Sequence, residues 1–215
     1  MDRYFIYKQQ VFETTMKLVG VDLIRISAGN ISMRLPDGNI AITPSGISYD
    51  HMHPEDIVIM DINGKKIEGK YNPSSEKALH HEIYKSKPNT NAVIHTHSRY
   101  AIAFSTVTLE LPVICLELLF VGGPIPIADY QCPGTIAVGT SAAAIFNDRP
   151  DLKGLILKNH GMVAIGENLE AAYQNAYNIE TGAEIYHIAL QTGKNPVALT
   201  ETQIKEILAH YNKTK

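Results

Sequence analysis

The sequence predicts a single α/β domain with a mainly antiparallel sheet and flanking helices. Two observations lead to this fold class. Short runs rich in apolar and β-branched residues are separated by turn sequences, which is typical of strands. Longer segments carry apolar residues at three- and four-residue steps, which is typical of amphipathic helices. No linker, repeat or abrupt change of composition divides the 215 residues, so we expect one domain over 1–215.

The first third of the chain is predicted to form one helix followed by antiparallel strands. Apolar residues recur at helical steps between residues 3 and 19, and Gly20 ends that helix. Strands are predicted next at 27–34, 40–42, 57–61 and 65–68. The turn sequences Pro36–Asn39 and Asn63–Gly64 join them into hairpins, so this region is expected to be antiparallel.

Helices and strands alternate in the rest of the chain. The helices are predicted near 75–86, 99–106, 134–147, 169–191 and 201–211. The strands are predicted at 92–94, 111–121, 125–128, 155–157 and 162–165. The strand at 111–121 is inferred from a continuous apolar run that contains Pro112 and Glu117. We expect the chain to end in a mobile tail near 208–215.

Composition and charge argue against several classes of function. Apolar residues make up 45% of the chain and charged residues 19%, which is ordinary for a globular protein. A net charge of −3 with scattered lysines and arginines argues against nucleic-acid binding. The longest apolar stretch, 111–121, is too short to cross a membrane, and Met1–Tyr4 lacks the start of a signal peptide. Two cysteines are too few for a disulfide framework, so we expect a cytoplasmic protein without membrane partners.

A pair of histidines, His95 and His97, ends the apolar run Ala92–Ile94. In an extended chain, side chains two positions apart point to the same face, so both imidazoles aim at one spot. A third imidazole is offered by His160, which follows the apolar strand at 155–157. A single histidine at a strand end is more often a hydrogen-bonded polar group than a metal ligand. Three of them in this pattern predict a transition-metal site.

Loop segments rich in hydroxyl, amide and glycine residues accompany the histidines. They are Gly29–Asn30, Ser45–Gly46 and Ser74–Ser75–Glu76. Hydroxyl groups, amide side chains and exposed backbone N–H groups can bind phosphate, and the helix predicted to begin near Ser75 adds its positive end. Each segment alone is more often a turn or a helix cap. Together they predict an anion site beside the metal site.

Five motifs along the chain match a known family. They are Ala28–Gly29–Asn30–Ile31–Ser32, Thr43–Pro44–Ser45–Gly46, Pro73–Ser74–Ser75–Glu76, His95–Thr96–His97–Ser98 and Asn159–His160–Gly161. With these motifs the chain resembles the class II aldolase and adducin-head family, in particular its L-fuculose-phosphate aldolase group. The motifs occur in the family's order, and the resemblance extends over about residues 10–190.

The resemblance implies a metal-dependent active site. His95, His97 and His160 would hold a catalytic divalent ion, for which zinc is expected and manganese and cobalt are alternatives. Glu76 would join the ion in the substrate-free state and act as the general base. The substrate phosphate would bind the loop residues, which are Gly29, Asn30, Ser45, Gly46, Ser74 and Ser75. The implied fold is an α/β/α sandwich around an antiparallel sheet, and the implied assembly is a homotetramer with active sites at subunit interfaces.

The implied reaction is the reversible retro-aldol cleavage of a ketose 1-phosphate into dihydroxyacetone phosphate and an aldehyde. The substrate is therefore expected to be a sugar phosphate, and the enzyme an aldehyde-lyase of carbohydrate metabolism. Three neutral imidazoles leave a divalent ion its charge and open positions. Such an ion can act as a Lewis acid on the carbonyl and adjacent hydroxyl of the ketose, so no lysine is needed as an electron sink.

One position departs from the family's pattern. The fuculose-phosphate aldolases carry a tyrosine that protonates the departing aldehyde oxygen, and the corresponding stretch at 112–118 has none. The candidates for this role are Glu117, one place after the matching Leu116, together with Tyr130 and with Tyr211 in the tail. An acidic residue near Glu117 is catalytic in relatives that epimerise or dehydrate sugar phosphates, so epimerase, dehydratase or decarboxylase activity remains an alternative. A scaffold without catalysis, like the adducin head, is disfavoured because the three histidines and Glu76 are all present.

Overall fold

A nine-stranded sheet with helices on both faces forms the body of the protein in a computed structural model that describes residues 2–213. The α-helices within these residues are α1 (Phe5–Gly20), α2 (Lys77–Ser86), α3 (Arg99–Ser105), α4 (Leu116–Phe120), α5 (Ile136–Asp148), α6 (Leu169–Leu190) and α7 (Glu201–Lys213). The strands are β1 (Asn30–Arg34), β2 (Ile40–Ile42), β3 (Val58–Met60), β4 (Lys66–Glu68), β5 (Ala92–Thr96), β6 (Glu110–Leu111), β7 (Ile125–Ala128), β8 (Gly154–Leu157) and β9 (Gly161–Gly166). None of the helices in this part of the chain has both the length and the apolar content needed to cross a bilayer.

The strands follow the order β4–β3–β2–β1–β5–β9–β8–β7–β6 across the sheet. Every neighbouring pair is antiparallel except β7 and β8, which run parallel. The structure therefore confirms the predicted α/β class and the mainly antiparallel sheet. The strands β5 and β9, which carry or flank the predicted metal ligands, lie side by side in the middle of the sheet.

The two faces of the sheet carry different helices. Ser32 of β1 is hydrogen-bonded to His80 of α2, so α2 covers the face to which Ser32 points. Gly154 of β8 faces Ile179 of α6, and the strand register connects Gly154 through β9 and β5 to Ile31. The side chains of Ile31 and Ser32 point to opposite faces because they are adjacent in a strand. Helix α5 packs beside α2 on one face, and α1, α3 and α4 pack beside α6 on the other.

The prediction of an extended strand over 111–121 is wrong. Only Glu110–Leu111 pairs as a strand, and the chain then forms the short helix α4. The apolar run has a different origin, because α4 packs against α6 and places Leu118 on Gly182. A short run that is apolar at every position fits a buried helical turn as well as a buried strand.

The C-terminal segment forms the helix α7, so residues 208–213 continue a regular element. The backbone N–H of Leu199 donates to the carbonyl oxygen of Val113 at 2.8 Å, which joins the segment before α7 to the one before α4. Residues 214 and 215 of the predicted mobile tail lie outside the described residues. The mobility of 208–213 stays a prediction.

Candidate metal centre

Three imidazoles and one carboxylate meet at one end of the central strands. The ligand atoms of Glu76, His95, His97 and His160 all lie within 4.8 Å of one another. Among residues 2–213 this is the one group of histidine, cysteine and acidic side chains arranged to hold a metal ion. We call these four residues the histidine cluster. Strand β5 supplies His95, and His97 follows directly after the strand. The turn between β8 and β9 supplies His160, and the N-cap position of α2 supplies the carboxylate of Glu76.

The turn between β8 and β9 brings His160 against β5. Asn159 has a φ of 58°, a left-handed conformation that asparagine tolerates better than most residues. A Cβ atom at Gly161 would lie 2.2 Å from the carbonyl oxygen of Thr96 and 3.0 Å from the ring of His95. Only glycine therefore permits this close approach of the two strand ends. The Asn–His–Gly sequence is the local device that places the third imidazole beside the other two.

The ring of His95 has a defined tautomer. Its Nδ1 atom lies 2.8 Å from the carbonyl oxygen of Met162 on the neighbouring strand. A carbonyl oxygen only accepts, so Nδ1 carries the hydrogen and donates it. The lone pair of Nε2 is left facing the cluster, which is the usual arrangement of a metal-binding histidine whose other nitrogen donates to the protein.

The carboxylate of Glu76 lies between two of the imidazoles. Its oxygens are 3.0 Å from Nε2 of His160 and 3.2 Å from Nε2 of His95. Asn30 donates an amide hydrogen to the same carboxylate at 2.9 Å. Burial by itself would raise the pKa of Glu76, but the imidazoles of His160 and His95 outweigh burial and hold it well below its usual range. Glu76 is therefore ionised.

Burial acts in opposite directions on the pKa of Glu76, which it raises, and on the pKa of the neighbouring His97, which it lowers. Removal from water, together with the nearby rings of His95 and His160, lowers the pKa of His97 to about 4. A neutral ring keeps a lone pair available at neutral pH. His97 thus presents a neutral nitrogen donor beside the negative oxygen donor of Glu76.

The cluster contains buried polar atoms without a partner. Over the described residues, four buried side-chain atoms lack a hydrogen bond, and three of them are Glu76 Oε1, His95 Nε2 and His97 Nε2. The short distances from Glu76 to His95 and His160 do not have the alignment of hydrogen bonds, although they are close enough for ion pairs. Leaving such atoms unpaired in the interior is costly. Nitrogen donors plus one carboxylate are the donor set of catalytic zinc and similar divalent ions, so the residues fit a divalent metal ion.

The predicted phosphate-binding residues lie on loops around Glu76. The loop at 43–46 runs beside the loop at 72–74, since the Ser45 N–H donates to Asn72 and the Ser74 N–H donates to Thr43. The hydroxyl of Ser74 also accepts from the Glu76 N–H at 3.2 Å, so this serine supports the start of α2 as expected. Gly46 and Ser75 are exposed at the surface of this loop pair.

Two further residues that were predicted to bind phosphate lie at the start of β1: Gly29 precedes the strand and Asn30 begins it. Gly29 has a φ of 93°, and a Cβ atom there would lie 2.8 Å from the carbonyl oxygen of His95. Asn30 is buried, and its amide contacts both Glu76 and His80. The Asn30 amide therefore contacts the histidine cluster through Glu76, and its role toward phosphate stays a prediction.

Two candidate proton donors, Glu117 and Tyr211, lie outside the histidine cluster on the contacting helices α4 and α7. Glu117 is in the first turn of α4, half-buried, rather than in the apolar strand that the sequence predicted. The ring of Tyr211 in α7 packs edge-on against Phe120 of α4, with ring centroids 5.0 Å apart. The side chain of Glu117 is a neighbour of Cys115, whose thiol pKa is raised by burial and by the Glu117 carboxylate. We call α4 together with α7 the donor surface.

His80 was not among the predicted site residues, and the structure places it between Asn30 and Ser32. Its ring is fully buried, and burial lowers its pKa to about 3. A signal was present in the sequence, because Glu76, His80 and Tyr84 are four positions apart and so share one face of a helix.

Comparison with known proteins gives consistent matches over almost the whole chain. The family model described as the class II aldolase and adducin N-terminal domain matches residues 9–187. This stretch includes all four residues of the histidine cluster and ends before Tyr211.

Individual relatives match over a similar length. The chain is 33% identical over 201 residues to the 5-deoxy-D-ribulose 1-phosphate aldolase of Bacillus thuringiensis serovar kurstaki, covering 93% of this chain and 92% of the relative. It is 34% identical over 204 residues to the L-fuculose phosphate aldolase of Escherichia coli K12, covering 94% and 93%. A solved structure of an L-fuculose 1-phosphate aldolase superposes with a TM-score of 0.87 at 32% identity, and 95% of each chain is covered.

Proposed function

The chain belongs to the family of class II aldolases and adducin N-terminal domains, and we propose that it catalyses the reversible retro-aldol cleavage of a ketose 1-phosphate. The products would be dihydroxyacetone phosphate and an aldehyde. The family match confirms the resemblance that the motifs indicated, and the named relatives fit a class II aldolase. The observation that carries the proposal is the histidine cluster, which combines three imidazoles and one ionised carboxylate within 4.8 Å.

His95, His97 and His160 would hold the divalent ion, which we propose to be zinc, and Glu76 would complete the set without substrate. When bound, the ion supplies Lewis acidity at the carbonyl and adjacent hydroxyl oxygens of the ketose. His95 is already oriented for this task, because its Nδ1–H is held by the carbonyl of Met162. That hydrogen bond fixes the ring plane before any ligand arrives.

Glu76 would move the proton at C3 of the substrate. In the cleavage direction the C3–C4 bond breaks and its electron pair stays on C3. Glu76 would take a proton from solvent and deliver it to C3, which gives dihydroxyacetone phosphate. In the synthesis direction the carboxylate removes that proton. Glu76 is suited to act as a base, since the neighbouring imidazoles keep it ionised and Asn30 donates to one oxygen only.

The loops at 43–46 and 72–75, with Gly29 and Asn30, would seat the phosphate of the substrate. Their glycines expose backbone N–H groups and their serines supply hydroxyls, while α2 begins immediately after them. Binding the phosphate away from the reacting carbons would orient C3 toward Glu76.

The donor surface would act on the aldehyde half. In the cleavage direction the C4 hydroxyl loses its proton as the aldehyde forms, and Glu117 or Tyr211 would pass that proton on to solvent. Both residues are outside the histidine cluster, which supports the expectation of a homotetramer in which a neighbouring copy completes each site. A cytoplasmic location belongs to the same proposal and is supported by the two unpaired cysteines, Cys115 and Cys132.

The test is a substrate panel. We expect the purified, zinc-loaded protein to release dihydroxyacetone phosphate from at least one ketose 1-phosphate, detected by its enzymatic reduction with NADH. The H95A variant, prepared and metal-loaded in the same way, is the control. Appearance of a stereoisomer without cleavage would replace the aldolase with an epimerase. Release of water or carbon dioxide would indicate a dehydratase or a decarboxylase.

A further inference from the structure

A row of buried polar side chains connects α2 with β1 and ends at Glu76. Its members are Asn30 and Ser32 of β1 and His80 and Tyr84 of α2. We call these four residues the polar ladder. All four are at most 3% exposed, although most of the surrounding interior is apolar. Buried polar groups are retained at a cost, so a complete set of them in one row calls for a functional explanation.

The ladder exists because two backbone repeats match. Four residues of an α-helix advance about 6 Å, which separates Glu76, His80 and Tyr84 along α2. Two residues of a strand advance about 6.7 Å, which separates Asn30 from Ser32 along β1. Because these repeats are nearly equal, each side chain of one element faces a partner on the other. Asn30 also pairs directly with His95 across the sheet, which brings the ladder to the histidine cluster.

The direction of each hydrogen bond along the ladder follows from Glu76, the residue at which the ladder ends. The carboxylate of Glu76 can only accept, so the amide nitrogen of Asn30 is the atom that faces it, at 2.9 Å. The amide oxygen of Asn30 then faces Nε2 of His80 at 2.5 Å. An amide oxygen only accepts, so Nε2 of His80 carries the hydrogen.

The remaining contacts continue in the same direction. With its hydrogen on Nε2, the neutral ring of His80 accepts at Nδ1 from the hydroxyl of Ser32, 2.6 Å away. Ser32 in turn accepts from the hydroxyl of Tyr84 at 2.9 Å. Burial keeps the His80 ring neutral, with its pKa lowered to about 3, so it has one N–H to place. Every donor in the row therefore points toward Glu76.

We propose that His80 is a positioning residue whose Nε2–H holds the Asn30 amide in the orientation that turns its N–H group toward Glu76. This inference rests on the proposed role of Glu76 in sugar-phosphate cleavage. If the amide rotated by half a turn, its oxygen would face the carboxylate and its nitrogen would face the N–H of His80, so both contacts would become repulsive. The ladder does not conduct protons to Glu76, because the amide of Asn30 does not titrate.

The first test measures the tautomer of His80 in the unaltered chain. Long-range ¹H–¹⁵N spectra of protein labelled with ¹⁵N-histidine distinguish Nδ1–H from Nε2–H rings, and the spectrum of H80Q identifies the His80 signals. We expect a neutral Nε2–H ring at pH 7 with and without zinc. A neutral Nδ1–H ring, or a protonated one, would overturn the proposal.

The second test compares variants that keep or remove the hydrogen-bond donor at position 80. H80L has no donor for Asn30, whereas the amide of H80Q can still donate to it. H81Q is the matched control, since His81 occupies the next position of α2 and is also buried. Losing an outer hydrogen-bond partner of a metal site typically costs roughly tenfold to a hundredfold in metal affinity or activity.

We expect H80L to lose that factor in zinc affinity and in kcat, with KM for the ketose phosphate near that of the wild type. H80Q is expected to recover a large part of the loss, and H81Q to match the wild type. Equal losses in H80L and H80Q, or zinc affinity unchanged in H80L, would contradict the proposal. The tautomer and zinc measurements need no substrate, so they decide the role of His80 even if no sugar phosphate is cleaved. The tautomer measurement also keeps the proposal falsifiable if H80L does not fold.

Discussion

The histidine cluster and the donor surface differ in how the protein holds them. The cluster lies at the ends of central strands and is largely buried. The backbone carbonyl of Met162 orients the His95 ring, and the polar ladder contacts the Glu76 carboxylate. The donor surface consists of the short helix α4 and the C-terminal helix α7, and Tyr211 is 42% exposed. A single chain therefore supplies the half of the active site that we propose to act on the dihydroxyacetone phosphate carbons. The half proposed to act on the aldehyde lies on an open surface, where another copy of the chain can reach it.

Loss of a cluster imidazole should have the largest effect. We expect H95A to lose its bound divalent ion and all measurable cleavage, because only His97 and His160 would hold the ion once Glu76 acts as the base. Metal content by atomic emission, together with the dihydroxyacetone phosphate assay, checks both parts. H51A, which replaces an exposed histidine far along the chain from these ligands, is the control. Retained turnover in a metal-free H95A protein would refute the metal mechanism.

Removal of the proposed base should come next. We expect E76Q to lower kcat by roughly a hundredfold to ten-thousandfold, the usual contribution of a general base. The same variant should stop the exchange of the C3 proton of dihydroxyacetone phosphate with D₂O, followed by proton NMR. This exchange needs no aldehyde, so it isolates the cluster from the donor surface. Exchange at the wild-type rate in E76Q would assign the proton transfer to another group.

Changes in the donor surface should separate the two half-reactions. We expect E117Q or Y211F, whichever removes the proton donor, to slow cleavage by roughly tenfold to a thousandfold while C3 exchange stays near normal. The exchange assay with dihydroxyacetone phosphate and the cleavage assay are run on the same preparations. Near-normal cleavage in E117Q would make Glu117 structural. Loss of exchange in either variant would mean that the donor surface also takes part in proton transfer at C3.

Acid should destabilise the metal-free protein through the buried ladder. The pKa of His80 is lowered to about 3 by burial, whereas an unfolded histidine titrates near 6.5. As the pH falls below about 6.5, His80 binds a proton in the unfolded chain but stays neutral in the folded protein. The free energy of unfolding therefore decreases down to about pH 3. At pH 5 this amounts to about 2 kcal/mol relative to pH 7.5.

The measurement is urea unfolding of metal-free wild type and H80Q at pH 7.5 and pH 5. We expect H80Q to lose about 2 kcal/mol less than the wild type on acidification, whatever its stability at pH 7.5. An equal loss in both proteins would mean that His80 does not take up a proton on unfolding.

Much of the central machinery could be read from local patterns. The alternation of a strand aims His95 and His97 at one point, and the Asn159–His160–Gly161 turn is recognisable as a hairpin between two apolar runs. Apart from α4, the helices were predicted within a few residues for the same reason, since their apolar periodicity is a local property. The predicted sheet was mainly antiparallel because its hairpin turns are short.

Other features depended on contacts between distant parts of the chain. The helix α4 was predicted as a strand because an apolar run does not say whether it packs on a sheet neighbour or on α6. His80 was overlooked because its partners, Asn30 and Ser32, lie on another element about fifty positions away.

The sequence by itself determined which side chains can bind a metal and how each is aimed by its own strand or turn. The tertiary structure decided that Glu76 faces the imidazoles, that His80 orders the Asn30 amide, and that α4 and α7 share a surface. The physical reason is that periodicity and turn chemistry act over a few residues, whereas strand register and helix packing are set by burial across the whole chain.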